Sequence, residues 1–258
     1  MLIVGGGRMG EALLSGLLAA GRPAADLAVV EVSDTRREQL AATHPDVTIV
    51  DAVVTAGSAV VAVKPGDVPA VARAVADAGA RRVLSVAAGV TTRSIEAAAG
   101  RPLAVVRAMP NTPALIGAGA AAISPGSAAG EDDLTWAEEV LGAVGVVVRV
   151  PEAALDAVTG LSGSGPAYVF LVAEAMIEAG VLAGLPREVA ETLTFHTLLG
   201  SSRLLTDGAS TPAELRAAVT SPGGTTAAGL RELEHRGVRA AFLDAVAAAA
   251  ERSRELGR

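Results

Sequence analysis

The chain has 258 residues, 51% of them apolar, no cysteine and a formal net charge of -7. It is long enough to bury a substantial core, and a negative balance without any Lys/Arg run argues against nucleic acid or an anionic membrane as the main partner. Disulfides and thiolate chemistry are excluded, no metal site is expected, no signal-peptide pattern precedes the first strand, and no uninterrupted apolar run reaches the roughly 18 residues of a membrane helix, so a cytoplasmic globular protein is expected.

In chain order, the β-branched runs "LIV", "LAVVE", "VTIV", "SAVVAV", "RVLSV", "LAVVRAM", "GAAAIS" and "GVVVRV" alternate with helical segments through residues 1–150. Continuous apolar strands separated by helices predict a doubly wound α/β domain of Rossmann type, its mostly parallel sheet covered on both faces. Directly after the first strand stands "VGGGRMG", in which Gly5, Gly7 and Gly10 make G-x-G-x-x-G ahead of the helix "EALLSGLLAAG". The first glycine permits a tight turn, the second lets backbone approach a pyrophosphate, and the third lets helix pack on strand. Gly5, Gly6, Gly7, Arg8, Met9 and Gly10 are therefore expected to bind a dinucleotide at a helix N-terminus.

Glu31 ends the second strand, where a ribose-binding carboxylate is expected, and this favours NAD. Ser33, Thr35, Arg36 and Arg37 follow at once, and a hydroxyl with a guanidinium is what the 2'-phosphate of NADP needs, so the residues leave the choice open. The fourth strand ends in Ala62-Val63-Lys64-Pro65, at the carboxyl edge of the sheet where open α/β folds bind ligands. Lys64 there can reach a phosphate or a substrate carboxylate. The sixth strand ends in "VRAMPNTPALIGAG", which sets the amide of Asn111 near the expected nicotinamide position.

From 151 to 258 the pattern is all helical, with segments at about 151–160, 164–183, 187–206, 212–219, 225–236 and 238–256 punctuated by glycine and proline. "AYVFLVAEAMIEAGVLAG", Ala167 to Gly184, is apolar around most of its circumference, broken only by Glu174 and Glu178. So apolar a helix needs more cover than this half of the chain provides, which predicts a subunit interface, a central helix of a monomeric bundle being the plainer alternative. Late in the chain "TSPGGTTAAGL" brings a Ser-Pro break, two glycines and two threonines together ahead of a helix. Converging amides and hydroxyls suit a small carboxylate, while an ordinary threonine-capped helix start is the plainer alternative.

The motifs "GGGRMGEALLSGLL", "AVKP", "VVRAMPNTPALIGAG", "LDAVTGLSGSGPAYVFLVAEAMIEAGVLAGL" and "TSPGGTTAAGLRELE" occur in the order and spacing of pyrroline-5-carboxylate reductase, which the chain resembles over essentially its whole length. The resemblance implies an NAD(P)H-dependent reduction of 1-pyrroline-5-carboxylate to L-proline, the last step of proline biosynthesis. It implies a homodimer interleaved through the helical domain, with rings of dimers in many members. The substrate would lie between the nucleotide domain of one subunit and the helical domain of the other. Carried over residue by residue, Ser221, Gly224, Thr225 and Thr226 bind substrate, and Thr226 takes the catalytic place beside the ring nitrogen. Family habit tilts the cofactor toward NADPH rather than NADH. The chain departs from the family in a shorter first strand, which suggests a slightly truncated or later-starting chain. It also has Arg8 in place of the commoner Asn and lacks an Asn-Arg pair after the second strand.

A protonated cyclic imine is already electrophilic, so the protein's task is placement and no strong general acid is needed. His44, His196 and His235 fall in no glycine turn or strand end and are expected on helix or loop surfaces. Three rivals remain. Another imine reductase shares the same cofactor chemistry. A 3-hydroxyacid dehydrogenase relative needs a lysine base in the helical domain, and no lysine follows Lys64. A non-catalytic dinucleotide-binding regulatory module has no use for the carboxylate turn.

Overall fold

A computed structural model describes residues 1–257. The eight apolar runs become one sheet, β1 (Leu2–Val4), β2 (Ala28–Val30), β3 (Thr48–Val50), β4 (Ser58–Val61), β5 (Arg82–Ser85), β6 (Ala104–Met109), β7 (Gly119–Pro125) and β8 (Gly145–Arg149), in the order β3-β2-β1-β4-β5-β6-β7-β8. The strands are parallel except that β7 runs antiparallel to β6. Chain order reverses between β1 and β4, which opens a crevice at the carboxyl ends of the strands.

Side-chain alternation divides the core between the two faces. Ile3, Val29, Val60, Leu84 and Val106 point to the face covered by α1 (Arg8–Ala19) and, farther along the chain, by the helix Glu131–Gly142, which brings Trp136, Val140 and Leu141. Their neighbours Leu2, Val4, Val30, Ala59, Val61, Val83 and Val105 point the other way, under the helices Val68–Asp77 and Thr92–Ala99. Both faces are thus apolar and both are covered, which is why the strands read as unbroken apolar runs.

With α2 (Asp34–Thr43) between β2 and β3, these four become α1, α3 (Val68–Asp77), α4 (Thr92–Ala99) and α5 (Glu131–Gly142) in chain order. Beyond them lie α6 (Leu155–Val158), α7 (Gly165–Leu182), α8 (Arg187–Thr206), α9 (Pro212–Ala218), α10 (Thr225–His235) and α11 (Val238–Leu256). The expected helix ends at glycine and proline agree with these bounds within a residue or two from α7 onward. The helix expected at 151–160 is instead three short pieces, a 3-10 turn at Glu152–Ala154, then α6, then a π-helical turn at Thr159–Gly163.

Strands give way to helices at 151, but the compact units divide later. Met1–Ser164 groups with the chain from Val246 onward, and Gly165–Ala245 forms the second unit. The reason is local. The π-helical turn packs against the last helix so closely that a Cβ on Gly160 would lie 2.5 Å from the Val246 carbonyl oxygen, and Ser253 donates to Asp156 at 2.6 Å.

In the second unit α7 packs on α8, yet only Ala173 and Ile177 of α7 are buried. Phe170 is 63% and Leu182 90% exposed. Within Glu152–Leu182 an 18-residue window reaches a mean hydropathy of 1.4, enough to cross a membrane by length and composition alone. Glu174 and Glu178 interrupt this segment, so the apolar run is not continuous over that length.

Candidate active site

The cleft in the first unit has a volume of about 680 Å³ and opens where the strand order reverses. Its floor is the glycine turn. Gly5 has φ +104°, and a Cβ there would stand 2.5 Å from the Ala62 carbonyl oxygen at the end of β4. A Cβ on Gly10 would fall 1.9 Å from the Gly5 carbonyl oxygen, so only glycine lets α1 start this close to β1. At Gly7 a Cβ would meet nothing within 4 Å, because this residue faces the open cleft at the N-terminus of α1. Free amides at a helix start beside a bare backbone fit a pyrophosphate, and the glycines fit a dinucleotide.

Of the expected cofactor residues, Gly5, Gly7, Glu31, Ala62, Val63 and Lys64 line this cleft. Gly6 lies beneath it, donating its amide to Glu31 Oε2 at 3.0 Å, and Arg8 and Met9 open α1 beside it. Pro65 lies just past the wall, opening a 3-10 turn. Asp51, Asp67 and the exposed Val32 also line it, and none of these was expected from sequence. Asp51 carries no motif, because its place follows only from β3 pairing beside β2.

The Ser33 to Arg37 segment does not form an open phosphate site. The Ser33 hydroxyl caps α2 by accepting from the Arg36 amide. Arg36 turns back under the glycine turn, where Nε donates to the Gly6 carbonyl at 2.8 Å and Nη2 pairs with Glu11 at 2.6 Å. Arg37 donates to the Glu31 carbonyl at 2.8 Å and pairs with Asp34.

Asn111 also departs from expectation, because its side chain holds protein rather than facing the cleft. Nδ2 donates to the carbonyl and hydroxyl oxygens of Ser162 at 3.3 and 3.2 Å, and Oδ1 accepts from the Ala120 amide at 2.9 Å. Met109, two residues earlier, lies where a Cβ on Gly163 would be 2.5 Å from its Cε. The glycine-serine stretch after α6 is therefore fastened to the end of β6. The alternating "SGSG" was the available sequence signal for this contact.

Nearby, Arg107 on β6 is buried and pairs with Glu152 at 3.2 Å, while Glu152 also accepts from the Thr92 amide and hydroxyl, each at 2.8 Å. Burial raises the Glu152 carboxyl, but the two Thr92 hydrogen bonds and Arg107 outweigh it and hold the group below the usual carboxylate range.

In the second unit, Ser221 to Gly224 form a turn that leads into α10. Gly223 has φ +70°, which favours glycine, and a Cβ on Gly224 would stand 2.3 Å from Ser221 Oγ, so a side chain there would displace that hydroxyl. Gly224 donates to the Ser221 carbonyl at 3.0 Å and becomes the N-cap of α10, leaving the first amides of that helix at the turn. Ser221, Thr225 and Thr226 are all exposed there. Among the described residues their hydroxyls have no protein partner, so they are available to a ligand. Of the three histidines, His44 lies at the end of α2, His196 within α8 and His235 at the end of α10.

Residues 152–256 match the family described as pyrroline-5-carboxylate reductase dimerisation, and residues 1–89 match that described as NADP oxidoreductase coenzyme F420-dependent. The chain is similar to a pyrroline-5-carboxylate reductase of Mycobacterium tuberculosis, at 46% identity over 98% of this chain and 95% of the relative. One from Synechocystis is 44% identical over 99% of this chain and 97% of the other. Among solved structures, a pyrroline-5-carboxylate reductase from Coxiella burnetii superposes with a TM-score of 0.93 at 35% identity, covering 100% of this chain and 98% of that one. A Plasmodium falciparum pyrroline carboxylate reductase, solved with NADP bound, gives a TM-score of 0.85 at 27% identity, with coverage of 100% and 97%.

Proposed function

The chain belongs to the pyrroline-5-carboxylate reductase family, and from that premise we infer that it reduces the cyclic imine 1-pyrroline-5-carboxylate to L-proline, with Thr226 beside the ring nitrogen. The observation that carries the assignment of roles is the exposed turn at Ser221–Thr226, where the Ser221, Thr225 and Thr226 hydroxyls have no protein partner among the described residues and α10 begins at Gly224.

When bound in the cleft of the first unit, a reduced nicotinamide dinucleotide supplies the hydride. The glycine turn and the N-terminus of α1 hold its phosphates, and Glu31 holds a ribose. Ala62, Val63 and Lys64 close the wall at the end of β4. The amides at the start of α10, with Ser221, Gly224 and Thr225, hold the substrate carboxylate. Thr226 orients the ring nitrogen, where a proton resides in the activated imine. The protein contributes placement, which converts two bound reactants into one oriented pair, and exclusion of water.

Residues 1–150 are the nucleotide domain in this proposal, and 151–258 the substrate and dimerisation domain. The homodimer is expected to join its copies into a ring, in the cytoplasm and without nucleic-acid or membrane partners. Family habit favours NADPH as the reductant, whereas the carboxylate of Glu31 at the ribose end of the cleft favours NADH.

The test is turnover of 1-pyrroline-5-carboxylate with each reduced nucleotide, with L-proline identified by mass, in the wild type and in Thr226→Ala. The variant is expected to lose about tenfold or more in kcat with its nucleotide Kd unchanged. Equal loss of both would make the turn merely structural. No turnover by a folded, nucleotide-binding wild type would overturn the reductase assignment.

A further inference from the structure

We propose that Glu31 makes this chain select NADH over NADPH, against the tilt given by family resemblance. The proposal rests on the dinucleotide assignment of the cleft but not on the imine as substrate.

The carboxylate is fixed from both sides. Oε2 accepts from the Gly6 amide at 3.0 Å and Oε1 accepts from the Ser33 amide at 2.9 Å, so the side chain cannot swing out of the cleft it lines. Each oxygen keeps a lone pair for a ribose hydroxyl. A 2'-phosphate brought to the same place sets a dianion against a pinned anion, and it is tolerated only if cations answer it.

The two guanidiniums that follow Glu31 on α2 are committed elsewhere. All three nitrogens of Arg36 are taken, Nε by Gly6, Nη2 by Glu11 and Nη1 by Gln39 at 3.2 Å. Arg37 is divided between the Glu31 carbonyl and Asp34. Releasing either would break an ion pair and leave a part-buried carbonyl without its donor.

Directly after Glu31 stands Val32, 82% exposed, which has no charge to offer. The wall carries Glu31, Asp51 and Asp67 against a single cation, Lys64. Lys64 follows β4, whereas Glu31 follows β2, and β1 lies between those strands in the sheet. At about 4.8 Å per strand that places their backbones about 10 Å apart, so Lys64 serves the phosphates beside Gly5 rather than the ribose beside Glu31.

Binding is measured without imine, by titrating the purified protein with NADH and with NADPH at one ionic strength and following nicotinamide fluorescence. The wild type is expected to bind NADH at least about tenfold more tightly. Val32→Arg, a change at an exposed position that leaves the glycine turn intact, is expected to tighten NADPH by about tenfold. Glu31→Gln is expected to narrow the ratio from the NADH side. Equal or tighter NADPH binding by the wild type overturns the proposal. Binding of neither nucleotide would overturn the dinucleotide assignment along with it. Tight NADH binding without imine turnover would strike the reductase assignment alone.

Discussion

At the scale of single residues, Gly7 and Gly10 separate ligand binding from stability. Both belong to one motif, but their surroundings differ. Gly10→Ala drives a Cβ to 1.9 Å from the Gly5 carbonyl oxygen, a backbone atom that cannot rotate away. The start of α1 must then shift, which is expected to cost about 1–3 kcal/mol in denaturant unfolding and to weaken nucleotide binding as well. Gly7 has φ -66° and ψ -176°, which alanine adopts freely, and a Cβ there would meet no protein atom within 4 Å. Gly7→Ala is therefore expected to change stability by less than about 1 kcal/mol while raising the nucleotide Kd about tenfold or more, because the methyl occupies the approach of the pyrophosphate. Equal stability losses in the two variants would refute this division. The glycines were legible in the sequence because spacing alone dictates their place between strand and helix. Arg36 and Asn111 were not, because a long or amide side chain finds its partner through space. Glu11, the Gly6 carbonyl and Ser162 are 25, 30 and 51 positions away from the residues they engage.

At the scale of elements, the strands and the helices from α7 onward follow from apolar runs and glycine-proline punctuation, both local properties. The stretch 152–163 is the exception. It reads as one helix, yet it breaks into a 3-10 turn, α6 and a π-helical turn because its ends are anchored to the sheet. Glu152 is tied to Arg107 on β6 and to Thr92 at the start of α4, and Ser162 is tied to Asn111. No periodicity announces anchors of that kind. The Glu152 anchor gives a pH dependence of definite sign. Its carboxyl lies below the usual range in the folded protein, so its contribution is complete above the ordinary carboxylate range and is lost as pH falls through the depressed folded value. Glu152→Ala leaves Arg107, its side chain 8% exposed, without its anion and is expected to cost about 3 kcal/mol at neutral pH. In acid the variant and wild type should converge, because the wild type has by then lost the same interaction. Unfolding midpoints measured across that range would show the convergence, and a constant difference would mean that the pair contributes little beyond packing.

At the scale of the whole molecule, the apolar face of the helical unit decides whether the chain can work alone. Phe170, Leu171, Leu193 and Phe195 are each more than half exposed, and an apolar groove of about 250 Å³ runs between α7 and the start of α11, lined by Tyr168, Leu171 and Phe242 among others. Soluble monomers rarely leave so continuous an apolar surface open, and this one lies within the residues matching the family's dimerisation region. A helix apolar around most of its circumference was legible from composition alone. Its partner was not, because a sequence does not state which surface covers another. In the dimer implied by family resemblance, the nucleotide cleft of one copy meets the carboxylate turn of the other. Leu171→Glu, which puts a charge into the groove, is therefore expected to yield monomers by light scattering and to lower kcat/KM about a hundredfold or more. Its NADH Kd should stay at the wild-type value, because the glycine turn and Glu31 belong to the other unit of the same chain. A monomeric variant with full turnover would show that one chain completes its own active site. A dimeric variant with wild-type kinetics would place the subunit contact on another face.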